Sequence, residues 1–300
     1  MIVRRSVAKK ANWFVVACFI LPFCVLYTVF TIWPVLFGLN VSFHKWGLMG
    51  KSGFVGIANY LKLVKDRFFW QAIAHTFIFV GLSVPFLVLI PFFLAVMANR
   101  PSPLKKFFRI SYYIPNILSV SVISYITVYI ASPYMGFLNQ FLHMTGLIAK
   151  DIEPMWLSDS RLAWMTVVTA TVWWTAGFPL LLYLSALQDI PGQLYEAARL
   201  DGAGSARMLF SITMPIVKST FLLVTFLEII ASFKVFGQIY LITGGGPGTV
   251  TRPIIQYIYT TAFQKNNLGY ASAMSYALFI ILIVFTLGQM KIQSGKDLYE

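Results

Sequence analysis

Charge is what this sequence has least of. Asp and Glu number ten in 300 residues, and charged residues of either sign make up 11%, where a soluble domain carries about 25%. With 58% hydrophobic residues, the chain cannot cover a soluble sphere with polar groups, nor has it the polar composition of disorder. Cysteine is scarcer still: Cys18 and Cys24 both fall in one apolar run, which excludes a disulfide scaffold or a cysteine metal site. His44, His75 and His143 lie in separate segments with no second ligand at metal spacing, and neither H-E-x-x-H nor G-x-S-x-G occurs. Gly50-Lys51-Ser52 ends like a phosphate loop, but Lys45 stands where that loop needs its first glycine. Nothing here suits catalysis, so energy for any work must come from a partner or an ion gradient.

What is present is apolar length. There are 27 Phe, and mean hydropathy is +0.76. Six stretches reach the roughly 20 apolar residues a spanning helix needs: 12–37, 73–98, 112–131, 163–187, 220–243 and 270–289. The first follows the basic start Arg4, Arg5, Lys9, Lys10 and is too long for a signal-peptide core, so it reads as a retained span. Pro22, Pro34, Pro85, Pro91 and Pro115 lie within the first three stretches and predict bent helices. The fold class is therefore an all-α polytopic membrane protein.

The net charge of +13 is not a nucleic-acid footprint, because the cations sit between apolar runs, and no nucleic-acid partner is expected. With the N-terminus inside, segments 1–11, 99–111, 188–219 and 290–300 hold 13 Lys and Arg in 67 positions, against 9 in 92 for 38–72, 132–162 and 244–269. The cluster Arg100, Lys105, Lys106, Arg109 is the strongest vote and Lys45 to Arg67 the dissent. The excess places both termini in the cytoplasm. The organisation that follows is a cytoplasmic N-terminus (1–11), a first span with an outer loop (12–72), a core of five spans (73–289) holding the inner loop 188–219, and a cytoplasmic tail (290–300). Gly53–Gln71 mixes aromatics with charges and suits an interfacial helix. Ser132–Asp159 is mixed, and Gly244–Gly246 with Pro247 and Gly248 reads as a membrane-exit turn.

The inner loop is punctuated. Pro191 and Gly192 break the preceding helix, Leu194–Leu200 suits a short helix, Asp201-Gly202-Ala203-Gly204 interrupts it, and Ser205–Met214 resumes with Met208, Leu209, Ile212 and Pro215 on one apolar side. Glu196-Ala197-Ala198, Gly202, Ile212 and Pro215 resemble the E-A-A–x3–G–x9–I–x–L-P loop of ABC-importer permeases, with Met214 for Leu and Ser219 where many members have proline. Pro22, Trp33-Pro34, Ser42-Phe43 and Trp46 are similar to the first-span pattern of maltose-type sugar permeases. So are Gly56, Asn59-Tyr60, Asp66 and Phe69 in the first outer loop, and Gly244–Pro247, Tyr257, Tyr259, Ala262-Phe263 and Gly269-Tyr270-Ala271 in the last third.

The resemblance implies the type I importer (MetI-like) permease fold. It also implies transport of an oligosaccharide-type sugar in the cytoplasmic membrane of a prokaryote, with a polyol or glycerol phosphate as the alternative cargo. The implied partners are a second, different permease, two copies of a cytoplasmic ATPase that bind ATP and Mg, and an extracytoplasmic sugar-binding protein; no cofactor is expected in this chain. Glu196, Ala197, Ala198, Asp201, Gly202 and Ala203 would couple to the ATPase. Asn116, Trp173, Trp174, Gly177, Leu180, Ser232, Phe233, Lys234 and Val235 would line the substrate pathway. Lys234 is telling on physical grounds too, since an ammonium facing lipid mid-span costs several kcal/mol. Glu228 falls on another face of the same stretch, towards a second permease or the inner end of the bundle. An ion-coupled secondary transporter is the competing class, and it would work alone.

Overall fold

The computed structural model describes residues 13–99 and 105–297; the N-terminal cations, Arg100 and the last three residues lie outside them. The described helices and strands are α1 (Trp13–Tyr27), α2 (Trp33–Ser42), β1 (His44–Gly47), β2 (Gly50–Phe54), α3 (Ala58–Lys65), α4 (Arg67–Asn99), α5 (Lys105–Ile117), α6 (Val120–Ile130), α7 (Phe137–Met144), α8 (Ser160–Thr175), α9 (Gly177–Gln188), α10 (Gly192–Leu200), α11 (Ser205–Met208), α12 (Met214–Ile216), α13 (Lys218–Phe233), α14 (Gly237–Ile242), α15 (Ile254–Tyr259) and α16 (Leu268–Asp297).

Three helices are long and apolar enough to cross a bilayer: Ala17–Ser42, Arg67–Asn99 and Leu268–Gln289. Three bent pairs complete six: α5 with α6 at 99°, α8 with α9 at 48°, and Ser205–Ile216 with α13 at 70°. Five of the six expected stretches fall on these helices or pairs; the stretch 220–243 does not form one span, because its helix stops at Phe233 and pairs instead with Ser205–Ile216. Three of the six candidates are angled. Proline does not sort them. Pro85 and Pro91 sit inside the unbroken α4, whereas the sharpest elbow follows Pro115 by three residues.

The chain divides into two compact units, one running to Lys65 and including Thr261–Tyr276, the other made of Asp66–Thr260 and the chain from Ala277 on. In the first unit, α1 and α2 join through a π-turn at Thr28–Ile32 ahead of Pro34. β1 and β2 pair antiparallel with Gly47 opposite Gly50, leaving Leu48 and Met49 as the turn, and the segment Gly53–Gln71, read as one interfacial helix, holds the end of β2, then α3 from Ala58 to Lys65, then the first turn of α4. Asn59 Nδ2 donates to Ser42 O (2.8 Å) and the Ser42 and Tyr60 hydroxyls bond at 2.7 Å. The Lys62 ammonium stands 4.4 Å from the Tyr270 ring centroid.

The second unit is organised on α4, which packs against α8, α9, α13 and α15. Phe69, Ala72, Thr76, Phe79, Ser83 and Leu87 recur at three- and four-residue intervals and are all buried, one stripe of a 3.6-residue period. Towards its C-terminal end Phe92 meets the Tyr183 ring at 5.4 Å and the Phe221 ring at 6.3 Å. The cluster of Val84, Val88, Leu180, Tyr183, Leu184 and Val224 closes round them.

Backbone polarity is met where helices stop. Asp159 caps α8, its carboxylate accepting from Arg161 N (2.8 Å) and Leu162 N (3.0 Å); the bonds from Leu162 and Arg161 hold its pKa below the ordinary value. At the α5–α6 elbow Ser119 caps the new helix, and the Trp174 indole donates to Leu118 O at 3.0 Å. Trp174→Phe keeps the ring and orphans that carbonyl, which costs about 1–3 kcal/mol when buried. A lowered thermal midpoint for the purified chain, with unchanged helical content at low temperature, is the expected measurement.

Candidate functional site

The loop between the fourth and fifth spans forms first. Pro191, extended at φ −59° and ψ 126°, starts α10. Its end is a Schellman turn: Ala203 N donates to Ala198 O (2.8 Å), Gly202 N donates to Arg199 O (3.0 Å), and Gly202 takes φ +76°. That left-handed backbone favours glycine, so the motif glycine has a local job as well as leaving its surface bare. Glu196, Ala197, Asp201 and Gly202 are exposed, and Ala198 and Ala203 half-buried. Around them Leu200 is 90% and Phe210 64% exposed, large apolar groups with nothing of this chain over them.

Several side chains tie this loop inward: Ile190 and Val217 lie in the buried cluster shared by α4, α9 and α13, and Leu209 and Met214 pack against it. Tyr195 packs against the cluster shared by α4, α9 and α13, and its hydroxyl bonds Thr213 Oγ1 at 2.9 Å. Tyr195, Glu196 and Arg199 wall a cleft of about 670 Å³ whose other wall includes Asn99 of α4. Nothing in the E-A-A spacing points to Tyr195; its aromatic ring one position before the glutamate was the available signal.

A second region lies where two interrupted helices meet. The stretch read as one span over 220–243 stops at Phe233; Lys234 (φ −93°, ψ 13°) terminates α13 and the chain restarts at Gly237. A Cβ on Gly237 would stand 3.2 Å from Val120 Cγ2, so the restart of α14 presses on the restart of α6. Gly177 shows the same intimacy: a Cβ there would come within 3.1 Å of Tyr112 O and Tyr113 Cα in α5. Asn116, two residues before Leu118, is half-buried, as is Trp174, and Lys234 is exposed. These four expected residues flank the contacts that join the breaks.

The others sit elsewhere. Leu180 is enclosed with Tyr183. Ser232 is buried with its hydroxyl 3.3 Å from that of Ser83. Phe233 is buried and packs on Phe77 and Phe285 at 5.0 and 5.4 Å, and Val235 joins the Phe79 and Trp164 cluster. Trp173 is exposed between two apolar recesses. Phe233 and Phe236 form no common wall, because the helix ends between them; Phe236 instead stacks with Tyr240 (5.4 Å) and Tyr259 (5.2 Å). Glu228 is buried within this chain.

The glycine run is more than an exit turn. Gly244, Gly245 and Gly248 all take positive φ. Gln256 Nε2 donates to Gly244 O (2.7 Å), Thr251 Oγ1 donates to Gly246 O (2.7 Å), and the Thr243 and Thr251 hydroxyls bond at 2.8 Å. Thr76 Oγ1 accepts from Ile254 N (2.9 Å), and Tyr257 donates to Asp66 Oδ2 (2.7 Å). The turn is thus stitched to α15, and α15 to Asp66 and Thr76. No cluster of three or more His, Cys, Asp or Glu suited to a metal occurs among the described residues.

Comparison with known proteins agrees with this geometry. The profile of the family described as "Binding-protein-dependent transport system inner membrane component" matches residues 52–292. The chain is 32% identical to the probable ABC transporter permease protein YurN of Bacillus subtilis over 93% of its own length and 96% of that protein. It is 31% identical to the lactose transport system permease protein LacF of Rhizobium radiobacter, over 93% of each. A bacterial alginate ABC transporter, solved in complex with its alginate pentasaccharide-bound periplasmic protein, contains a chain that superposes with a TM-score of 0.81 at 25% identity, covering 93% of both.

Gly202 separates backbone need from surface need. Gly202→Ala places a Cβ in left-handed backbone at about 1 kcal/mol or more, while Gly202→Asn is tolerated better there. Tryptic cleavage after Arg199 and Arg207 in the purified protein is expected to quicken about fivefold for alanine and less for asparagine.

Proposed function

The chain belongs to the binding-protein-dependent transport system inner membrane components, and from that premise we propose that it is one of two different membrane subunits of an ATP-driven importer passing an oligosaccharide-type sugar to the cytosol. In this reading the chain is not itself catalytic and carries no cofactor. Two copies of an ATPase bind ATP and Mg, and an extracytoplasmic protein delivers the sugar. Both termini lie on the cytoplasmic side of a prokaryotic cell membrane, as the Lys and Arg density suggests.

The observation that carries the reading is a loop with a bare apolar surface, Leu200 and Phe210, whose inner side packs into the bundle through Tyr195, Leu209 and Met214. A partner that covers Leu200 and Phe210 gains a rigid grip, because the Schellman turn fixes α10 against Ser205–Ile216. Displacement of α10 is then passed through the Tyr195–Thr213 bond into the cluster of α4, α9 and α13. The sugar reading is supported by the lactose-transport relative and by the alginate transporter with its saccharide-loaded periplasmic protein. The pathway we place at the meeting of the broken helices. Interrupted backbone at membrane depth is tolerated where it is buried in protein or lines a water-filled cavity, and Asn116, Trp174, Lys234 and the Phe236–Tyr240–Tyr259 rings offer hydrogen bonds and ring faces there. The switch between two openings is a two-state element biased by nucleotide at one end and loaded binding protein at the other.

Leu200→Asp tests the docking. The residue is exposed, so insertion and chain stability are expected to be unchanged, while recovery of the ATPase with the purified permease pair falls about tenfold, the 1.4 kcal/mol loss of one contact. Lys234→Met is expected to assemble and keep basal ATP hydrolysis but to lose sugar uptake into proteoliposomes. Normal uptake by that variant removes Lys234 from the pathway.

A further inference from the structure

One segment outside these sites presents an apolar surface and carries no charged side chain of its own. Residues 132–149 contain no Asp, Glu, Lys or Arg. Within them α7 exposes Phe137 (62%), Phe141 and Met144 (86%), with the Phe137 and Phe141 rings stacked at 6.0 Å. At about 100° per residue these three positions fall within roughly 60° of one another on the helix. Met135 and Leu147 extend the exposed face at either end. A monomeric soluble surface rarely gathers so much apolar area without a partner.

The reverse of the helix is fixed. Asn139, about 200° round from Phe137, is buried; its Nδ2 donates to Glu153 Oε2 (2.6 Å) and Pro154 O (3.3 Å), and its Oδ1 accepts from Trp156 Nε1 (2.6 Å). Tyr134 N also donates to Glu153 Oε2 (3.2 Å), and His143 Nε2 bonds Ile152 O (3.0 Å). Thr166 Oγ1 in α8 donates to Trp156 O (3.3 Å), so the loop is anchored to the fourth span. α7 cannot roll its Phe and Met side chains inward.

We infer that α7 is an interfacial anchor whose Phe137–Phe141–Met144 face lies in the bilayer at the side opposite the loop 188–219. Six residues separate Ile130, the end of α6, from Phe137, and the bond from Gly136 N to Ser132 O (3.0 Å) folds even that connection, so α7 stays close to the end of the third span. The apolar surface is also continuous. A recess of about 280 Å³ runs from Ile126, Ile130, Met165 and Trp173 on the spans up to Leu138 of α7 and Trp156. Aromatic and apolar faces of short amphipathic helices bury in the headgroup boundary. The absence of cations means that neutral lipid suffices.

The test uses the full permease–ATPase complex in phosphatidylcholine proteoliposomes, with Cys18→Ala and Cys24→Ala as background and a nitroxide attached at Phe141→Cys, Met144→Cys or, as the aqueous control, Lys150→Cys. We expect positions 141 and 144 to show an oxygen-to-nickel-chelate accessibility ratio several-fold above that at 150, unchanged when the periplasmic protein is added. Phe137→Cys supplies the same reading should labelling at 141 prevent assembly. Equal ratios at 141, 144 and 150 overturn the inference. Free access that is lost on adding the periplasmic protein assigns the face to that protein instead, and exclusion of both reagents assigns it to the second permease; either result also overturns it.

Discussion

A backbone in hydrocarbon cannot leave its N–H and C=O groups unpaired, and most of this structure follows from how the chain meets that demand while still breaking its helices. An unbroken helix satisfies nearly all of it internally; α4 does so except at Pro85 and Pro91, which have no N–H to offer the carbonyls four residues back. Each interruption has to be paired by other means. Ser119 and the Trp174 indole serve the 99° elbow. Bonds from Lys234 N to Ala231 O and from Val235 N to Ser232 O close the end of α13. The 48° bend at Gly177 follows from Pro179, which lacks an N–H and crowds the carbonyl four residues back. Glycine at that bend allows α5 to cross against bare backbone.

Packing between the spans has to do what water does for a soluble core. Lipid tails are as apolar as leucine, so a buried Phe gains contacts rather than escape from water. This explains why small residues stand at the close crossings, Gly177 on α5 and Gly237 on α6, and why the large rings gather along α4. Phe92, Tyr183 and Phe221 form one ring cluster at the end of α4 that also receives Tyr195. A push on α10 therefore arrives at the stiffest part of the unit and not at a flexible join.

Five of the six apolar stretches were legible as spans because hydropathy reports composition, and composition fixes what can cross a bilayer. Direction is another matter. Nothing in the hydropathy of 112–131 shows that the chain turns through 99° at Leu118, or that the helix begins as far back as Lys105; the Ser119 cap was the only local sign. The stop at Lys234 was hidden because Val235 and Phe236 are as apolar as the helix before them, and Gly237 alone marked the restart. The β1–β2 hairpin was missed because its turn, Leu48-Met49, lacks the Asn-Gly or Asp-Gly that usually signals one. The loop 188–219 read well because proline and glycine punctuate it, whereas the stitched glycine turn depends on Thr251 and Gln256, whose partners lie several residues away.

The two ends of the second unit are built by opposite rules. On the glycine-turn side, Thr243 and Thr251 pair the turn with itself and Gln256 pairs it with α15, while Thr76 of α4 and Asp66, the residue before α4, bond Ile254 and Tyr257 of α15. These bonds, side chain to backbone and side chain to side chain, are all made within the chain. On the loop 188–219 side one side-chain hydrogen bond, from Tyr195 to Thr213, joins α10 to the helix that follows, and Leu200 and Phe210 stand in the open. An exposed leucine gains nothing from water, and covering it is favourable. In the proposed importer another protein covers that surface, and a push on it enters the bundle through the Tyr195–Thr213 bond together with Tyr195, Leu209 and Met214, which all pack against the cluster of α4, α9 and α13.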